Sequence, residues 1–149
     1  MRILIAYDGS PAADLAVEQV ARRPWPAGSE VRVVSVLEPS PPMPPEAGVE
    51  VYGPVFEKIR VTQRQAMQET LDRAAERIRA GGTLQVDAEL REGGVNRSLL
   101  EAIKQFGADL VVAGSHGHTA LERFFLGSVS HALVTHAPCS VEIVKASHP

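Results

Sequence analysis

The segment Arg2-Ile-Leu-Ile-Ala-Tyr-Asp8-Gly-Ser10-Pro11-Ala-Ala13-Asp-Leu-Ala16-Val17-Glu-Gln-Val20 places a strand and a helix in immediate succession. Arg2–Tyr7 is a β-branched run whose centre, Ile3–Ala6, is apolar without interruption, the composition of a strand buried on both faces. Ser10-Pro11 then reads as an N-cap followed by the first helical residue. Ala13, Ala16, Val17 and Val20 form one apolar stripe at helical spacing.

The same alternation continues outward. Strands are predicted at Val31–Leu37, Leu84–Leu90, Asp109–Ala113 and Ser140–Val144. Between them lie helical stripes at Met67, Leu71, Ala74 and Ile78, at Val95, Leu99, Ile103 and Phe106, and at Val129, Ala132 and Leu133. Gly81-Gly82 and Gly107 stand where helix C-termini call for a left-handed residue. Five strands alternating with four helices imply βαβ units. The fold class is therefore α/β, a single doubly wound five-stranded parallel sheet, order 3-2-1-4-5, with helices on both faces.

Composition sets the outer limits. The chain has 149 residues, 44% hydrophobic and 22% charged, so residues 1–149 are read as one domain with enough apolar residues for one core. Disorder is excluded for most of its length. No run of 18 apolar residues occurs, which argues against a membrane span. The start of the chain reaches Asp8 too early for a signal peptide, and a single cysteine, Cys139, fits a reducing cytoplasm. A net charge of -3 leaves no basic footprint for nucleic acid.

Glu38–Pro54 breaks the rhythm. It holds six of the 11 prolines and is expected to lack regular structure. It leaves strand 2 at its carboxyl end, where open α/β sheets bind ligands. It reads either as a mobile surface excursion or as a flap over a ligand.

The stretch Gly114-Ser-His-Gly117-His-Thr-Ala-Leu-Glu-Arg-Phe-Phe-Leu-Gly127-Ser128 follows a buried strand and precedes a helix. Gly114 and Gly117 allow a tight turn and a close backbone approach. Gly127-Ser128 opens the last helix, whose unpaired N–H groups suit a phosphate. Ser128 either caps that helix or donates its hydroxyl to a phosphate oxygen.

Gly114-x2-Gly117-x9-Gly127-Ser128 resembles the ATP-binding signature of the universal stress protein family. The likeness extends along the whole chain: Ala6-Tyr7-Asp8-Gly9-Ser10 at the end of strand 1, the long insert after strand 2, and the ending His136-Ala-Pro-Cys-Ser-Val141. The resemblance implies a strand order of 3-2-1-4-5. It places Asp8 on the ribose hydroxyls, against the alternative of a helix-start acid. It also places the backbone of Val36 on adenine and Ala113 and Gly114 near the sugar and phosphates. Gly117, Gly127, Ser128 and Val129 become the phosphate cradle. Ser130 reaches a terminal phosphate or is a solvated helix serine. Ala113 departs from the methionine often found at that place. The implied cofactor is ATP, with or without magnesium. The implied assembly is a homodimer formed through Ser140–Val144.

Other chemistries fit less well. Ala113-Gly-Ser115-His-Gly117 also resembles a nucleophile elbow, but only Glu122 and Glu142 follow as acids, with His131, His136 and His148. No Gly-Lys-Ser or Gly-Lys-Thr occurs, so the machinery of a fast P-loop NTPase is missing. His116 and His118 stand two apart and His131 and His136 five apart, neither being a helical metal-ligand spacing. Cys139 reads as a buried, inert thiol. Asn96-Arg-Ser98 is a glycosylation sequon without a secretory context. The chain is thus expected to be a cytoplasmic ATP-binding regulator or sensor in the stress response, with no catalytic residue assigned. The alternative is a phosphate- or nucleotidyl-transfer enzyme, such as a slow ATPase, with Arg123 or His116 over the phosphates. A nucleotide-free dimeric interaction module is disfavoured because the motif is complete.

Overall fold

The computed structural model describes residues 1–39, 49–82, 84–117 and 126–145, with the side chains of 49–51 left aside. Its elements run β1 (Arg2–Ala6), α1 (Pro11–Arg22), β2 (Glu30–Leu37), α2 (Val49–Arg79), β3 (Gln85–Glu92), α3 (Val95–Phe106), β4 (Leu110–Gly114), α4 (Ser128–His136) and β5 (Ser140–Val144). The strands form one all-parallel sheet in the order β3-β2-β1-β4-β5. Ile5 pairs with Val33 of β2 and with Val112 of β4, so β1 is the centre.

Central position explains the unbroken apolar run. Ile3 and Ile5 of β1 enter one core with Val17 and Val20 of α1 and Leu71 and Ile78 of α2. Leu4 and Ala6 enter a second core with Leu99 and Ile103 of α3 and Leu133 of α4. Ile3, Leu4 and Ile5 are fully buried, and covering a branched side chain on either face stabilises the fold by ~1.5–3 kcal/mol. Helices therefore lie on both faces of the sheet.

The local signals act as expected at α1 and α3. Ser10 caps α1, its Oγ accepting from the Ala13 N–H at 3.2 Å, and Pro11 is the first helical residue. Gly107 closes α3 with φ 65°, and Gly82 follows α2 with φ 82°.

The reading of Glu38–Pro54 is corrected in part. Residues 40–48 lie outside the described residues, but Val49–Arg79 is one helix of 31 residues with Pro54 inside it. Pro54 stands in the second turn, where its ring forfeits one hydrogen bond near a helix end. At ~1.5 Å per residue the helix is ~46 Å long, far longer than the apolar stripe alone suggests. Leu71, Ala74, Ala75 and Ile78 bury its C-terminal half. Its N-terminal half is exposed and is tied to the end of β3 by Arg60 and Arg64, both paired with Glu92. Among the described residues, no helix is long and apolar enough to cross a membrane.

Candidate functional site

β1 and β4 are neighbours in the sheet, yet their following helices cover opposite faces. The loops after these strands diverge, and a crevice opens between them at the carboxyl edge, the place where doubly wound sheets hold ligands. A cavity of about 450 Å³ lies there, a size suited to a small molecule. Asp8, Val36, Ala113, Gly114, Gly117, Gly127, Ser128, Val129 and Ser130 all line it. The residues singled out in the sequence thus meet on one wall system.

Asp8 leaves the end of β1 and is exposed. Its Oδ1 accepts from the Ser10 N–H at 2.9 Å, a local turn that pins the carboxylate beside the start of α1. Val36 stands near the end of β2, in register with Arg91 of β3. Ala113 is buried at the end of β4, next to Ala6 of β1.

The motif glycines have internal reasons for lacking a side chain. A Cβ on Gly114 would stand 2.6 Å from the carbonyl carbon of Ala12 and 2.8 Å from the N of Ala13, backbone that cannot move aside. On Gly117 it would meet Oδ2 of Asp8 at 2.7 Å, and on Gly127 the Ser115 carbonyl at 3.3 Å. Positive φ is not the cause at any of these positions, in contrast to Gly107.

The N-cap of α4 is Gly127, without a side-chain cap, and this corrects the reading of Ser128 as a capping residue. The Gly127 N–H donates to the Ser115 carbonyl at 2.9 Å. Ser128 is the first helical residue. With Val129 and Ser130 it forms the opening turn, whose N–H groups no intrahelical carbonyl reaches. That turn faces the cavity with the positive end of the helix dipole. Ser130 is not a solvated serine. It is buried, and its hydroxyl donates to the Gly114 carbonyl at 2.7 Å, so its single proton ties α4 to the end of β4.

Several wall residues were not singled out. Val95, Asn96 and Leu99 bring the first turns of α3 to the cavity, and Tyr7, Ser10 and Glu38 complete its rim. The stripe Val95–Leu99 signalled a buried helix face, but not that its N-terminal end overhangs the crevice. Ser10 does double duty: besides capping α1 it donates to the His116 carbonyl at 3.3 Å, joining the loops after β1 and β4.

Ser115 is buried, and its Oγ lies 2.9 Å from Nδ1 of His116. Among the described residues Nε2 of His116 has no hydrogen-bond partner, so none of them supplies the acid of a hydrolytic triad there. Arg123, Glu122, His118 and His148 lie outside the described residues. Among those described, no three His, Cys, Asp or Glu side chains converge on a common point. Cys139 is half-buried, and burial pushes its thiol above the ordinary range.

The sequence model of the Universal stress protein family matches residues 1–145. This chain is a member of the universal stress protein family. A universal stress protein of Thermus aquaticus is 34% identical over 147 residues, covering 96% of this chain and 97% of the relative. Among solved structures, universal stress protein UspA of Lactobacillus plantarum superposes with a TM-score of 0.78 at 21% identity, over 97% of each chain. A universal stress protein in complex with cAMP gives 0.67 at 20% identity, covering 99% of this chain and 98% of its own. The universal stress protein of Archaeoglobus fulgidus in complex with dAMP gives 0.59 at 22%, covering 97% and 98%. At these identities the structural likeness speaks for the universal stress protein fold.

Proposed function

We propose that the chain binds an adenine nucleotide, ATP above all, in the crevice between β1 and β4. We also propose that it acts in the cytoplasm as a nucleotide-dependent regulator of the stress response rather than as a catalyst. The observation that carries this reading is the cavity itself. An acid at one side, an apolar wall at the back and the open first turn of α4 at the other match ribose, base and phosphates in order.

In this arrangement Asp8 accepts from the ribose hydroxyls and the backbone of Val36 meets adenine. Ala113 and Gly114 pass under the sugar, and Gly117, Gly127, Ser128 and Val129 surround the phosphates. Ser130 holds the cradle in shape through the Gly114 carbonyl. Magnesium, when it accompanies ATP, rides on the phosphates. The nucleotide complexes of family members with cAMP and dAMP support the choice of an adenine ligand. Preorganised N–H donors position and neutralise phosphates. A phosphate-transfer enzyme also needs a group to deprotonate or orient a nucleophile.

A homodimer through β5 belongs to the same proposal. β5 is an edge strand, and parallel edges with free N–H and C=O groups recruit a second strand.

Calorimetric titration of the purified protein with ATP, ADP, AMP, cAMP and adenosine tests the nucleotide reading. Saturable binding of adenine nucleotides, weakened about ten- to a hundredfold by Asp8→Ala, is the expected result. Absence of binding at about millimolar nucleotide overturns it.

A further inference from the structure

The ring of His116 is half satisfied. It lines the cavity between the two parts of the glycine motif, and its backbone is anchored by the Ser10 hydroxyl at 3.3 Å. Nδ1 lies 2.9 Å from Ser115 Oγ, while Nε2 is buried and has no hydrogen-bond partner among the described residues. Arg32 Nε is likewise buried and unpartnered, but that guanidinium stacks on Phe106 and its other nitrogens reach Asp87 and Glu89. Packing accounts for Arg32. Nothing among the described residues accounts for Nε2 of His116.

The serine decides which kind of group is missing. Ser115 Oγ is buried, and His116 Nδ1 is its hydrogen-bonding partner among the described side chains. A buried hydroxyl proton without an acceptor is costly, so the hydroxyl donates to Nδ1. A neutral imidazole that accepts at Nδ1 carries its hydrogen on Nε2, and a protonated ring carries one there too. Nε2 is therefore a donor lacking an acceptor. The backbone of His116 stands beside the start of α4, since a Cβ on Gly127 would stand 3.5 Å from its Cα, and His116 lines the same cavity as Ser128 and Val129. Acceptors suited to that helix start are anionic oxygens.

We infer that His116, held by Ser115, donates its Nε2–H to a phosphoryl oxygen of the bound ligand and so selects phosphorylated nucleosides over bare ones. Ser115 is a positioning residue that fixes the tautomer. His116 is a binding residue, the side-chain complement to the backbone N–H groups of Ser128 and Val129. The inference rests on the nucleotide reading above.

Its test compares AMP with adenosine in wild type, His116→Phe and His116→Gln by calorimetry, with circular dichroism to establish folding. His116→Phe is expected to bind AMP about ten- to a hundredfold more weakly while binding adenosine as wild type does, and His116→Gln, which keeps an N–H, to recover part of the loss. A merely structural role would weaken both ligands together. A wild type that binds neither ligand overturns the nucleotide reading and this inference with it. A wild type that binds both, with equal or no losses in the variants, overturns the role of His116 alone. Should both variants unfold, nitrogen-15 spectra of wild-type imidazoles decide. A His116 Nε2–H signal that shifts with AMP but not with adenosine supports the assignment, and an indifferent one overturns it.

Discussion

Asp8 and Gly117 come from loops more than a hundred residues apart, yet a Cβ on Gly117 would stand 2.7 Å from Oδ2 of Asp8. The glycine of the motif therefore makes room first for a carboxylate of the same chain. That carboxylate is the end of a side chain and can give way, so Gly117→Ala should cost little stability while turning Asp8 from its place. Thermal melts within about one or two degrees of wild type, with AMP affinity lowered several-fold, are expected. Unchanged affinity in a folded Gly117→Ala protein would detach Asp8 from the ligand.

Gly114 has a different neighbour and should respond differently. Its Cβ would press on the backbone of Ala12 and Ala13, where α1 starts, at 2.6 to 2.8 Å. Gly114→Ala is expected to destabilise the fold by about 1–3 kcal/mol, the range for overpacking, with or without nucleotide. Urea denaturation reads this directly, and a midpoint equal to wild type would show that α1 and β4 separate easily.

Tyr7 gives an alkaline signature. Burial, and then the hydrogen bond from its hydroxyl to Asp14 at 2.9 Å, push its phenol from 10.0 up to about 12. The folded state thus favours the neutral phenol. Its contribution is fully present below pH 10.0 and fades as pH rises towards about 12. Ultraviolet titration should show a tyrosine ionising near the upper value, and Tyr7→Phe should abolish that step. If Tyr7→Phe instead removed a step at the ordinary value, the hydroxyl would be open to solvent.

The edge strand carries an acid that is already engaged. Glu142 meets Arg23 in a two-pronged contact at 2.7 and 2.8 Å, and Arg23 stacks on Trp25, so Glu142 draws β5 onto the α1 side. The Arg23 guanidinium holds the Glu142 carboxyl below its ordinary range, against the opposing effect of burial. A depressed carboxyl stabilises the fold above its unfolded pKa, and this is lost as pH falls through the folded value. Both side chains are about a third exposed, so the pair is worth only ~0.5–1 kcal/mol. Glu142→Gln should lose that amount at about pH 7, and the difference should shrink as pH falls through the folded value and both proteins come to carry a neutral group. A difference that does not change on acidification would assign the effect to packing.

Association through β5 has a positional test. The Ser140 N–H bonds to the Asp109 carbonyl and the Val144 carbonyl accepts from Ser115, so the even-numbered residues of β5 face β4. In a parallel ladder the alternate residues, Val141 and Ile143, then turn their N–H and C=O groups to the open edge. Val141→Pro removes one outward donor and no ladder bond, and should shift light scattering from dimer towards monomer while the melt is kept. A wild type that is monomeric at tens of micromolar would refute pairing through β5.

Local patterning was enough for the architecture. Strand and helix periods, the Ser10-Pro11 start and the Gly107 stop depend on residues a few positions apart, and their order along the chain restricts a parallel sheet to few topologies. The motif also named the residues that line one cavity, because a glycine loop and a helix start are local objects too. Other features depended on contacts between distant segments, which no spacing encodes. The 31-residue reach of α2 through Pro54 goes with Arg60 and Arg64 meeting Glu92, an exposed arrangement with no apolar period to announce it. Gly114 and Gly117 read as places for a ligand, whereas packing set them against Ala12 and Asp8. Ser130 became a tie to Gly114, and His116 kept one ring nitrogen without a partner among the described residues, only once β1, β4 and α4 had converged. Sequence decided which elements form and in what order. Tertiary structure decided which polar atoms of the described residues are already bonded and which are not, because a hydrogen bond is a matter of ångströms between segments far apart in the chain.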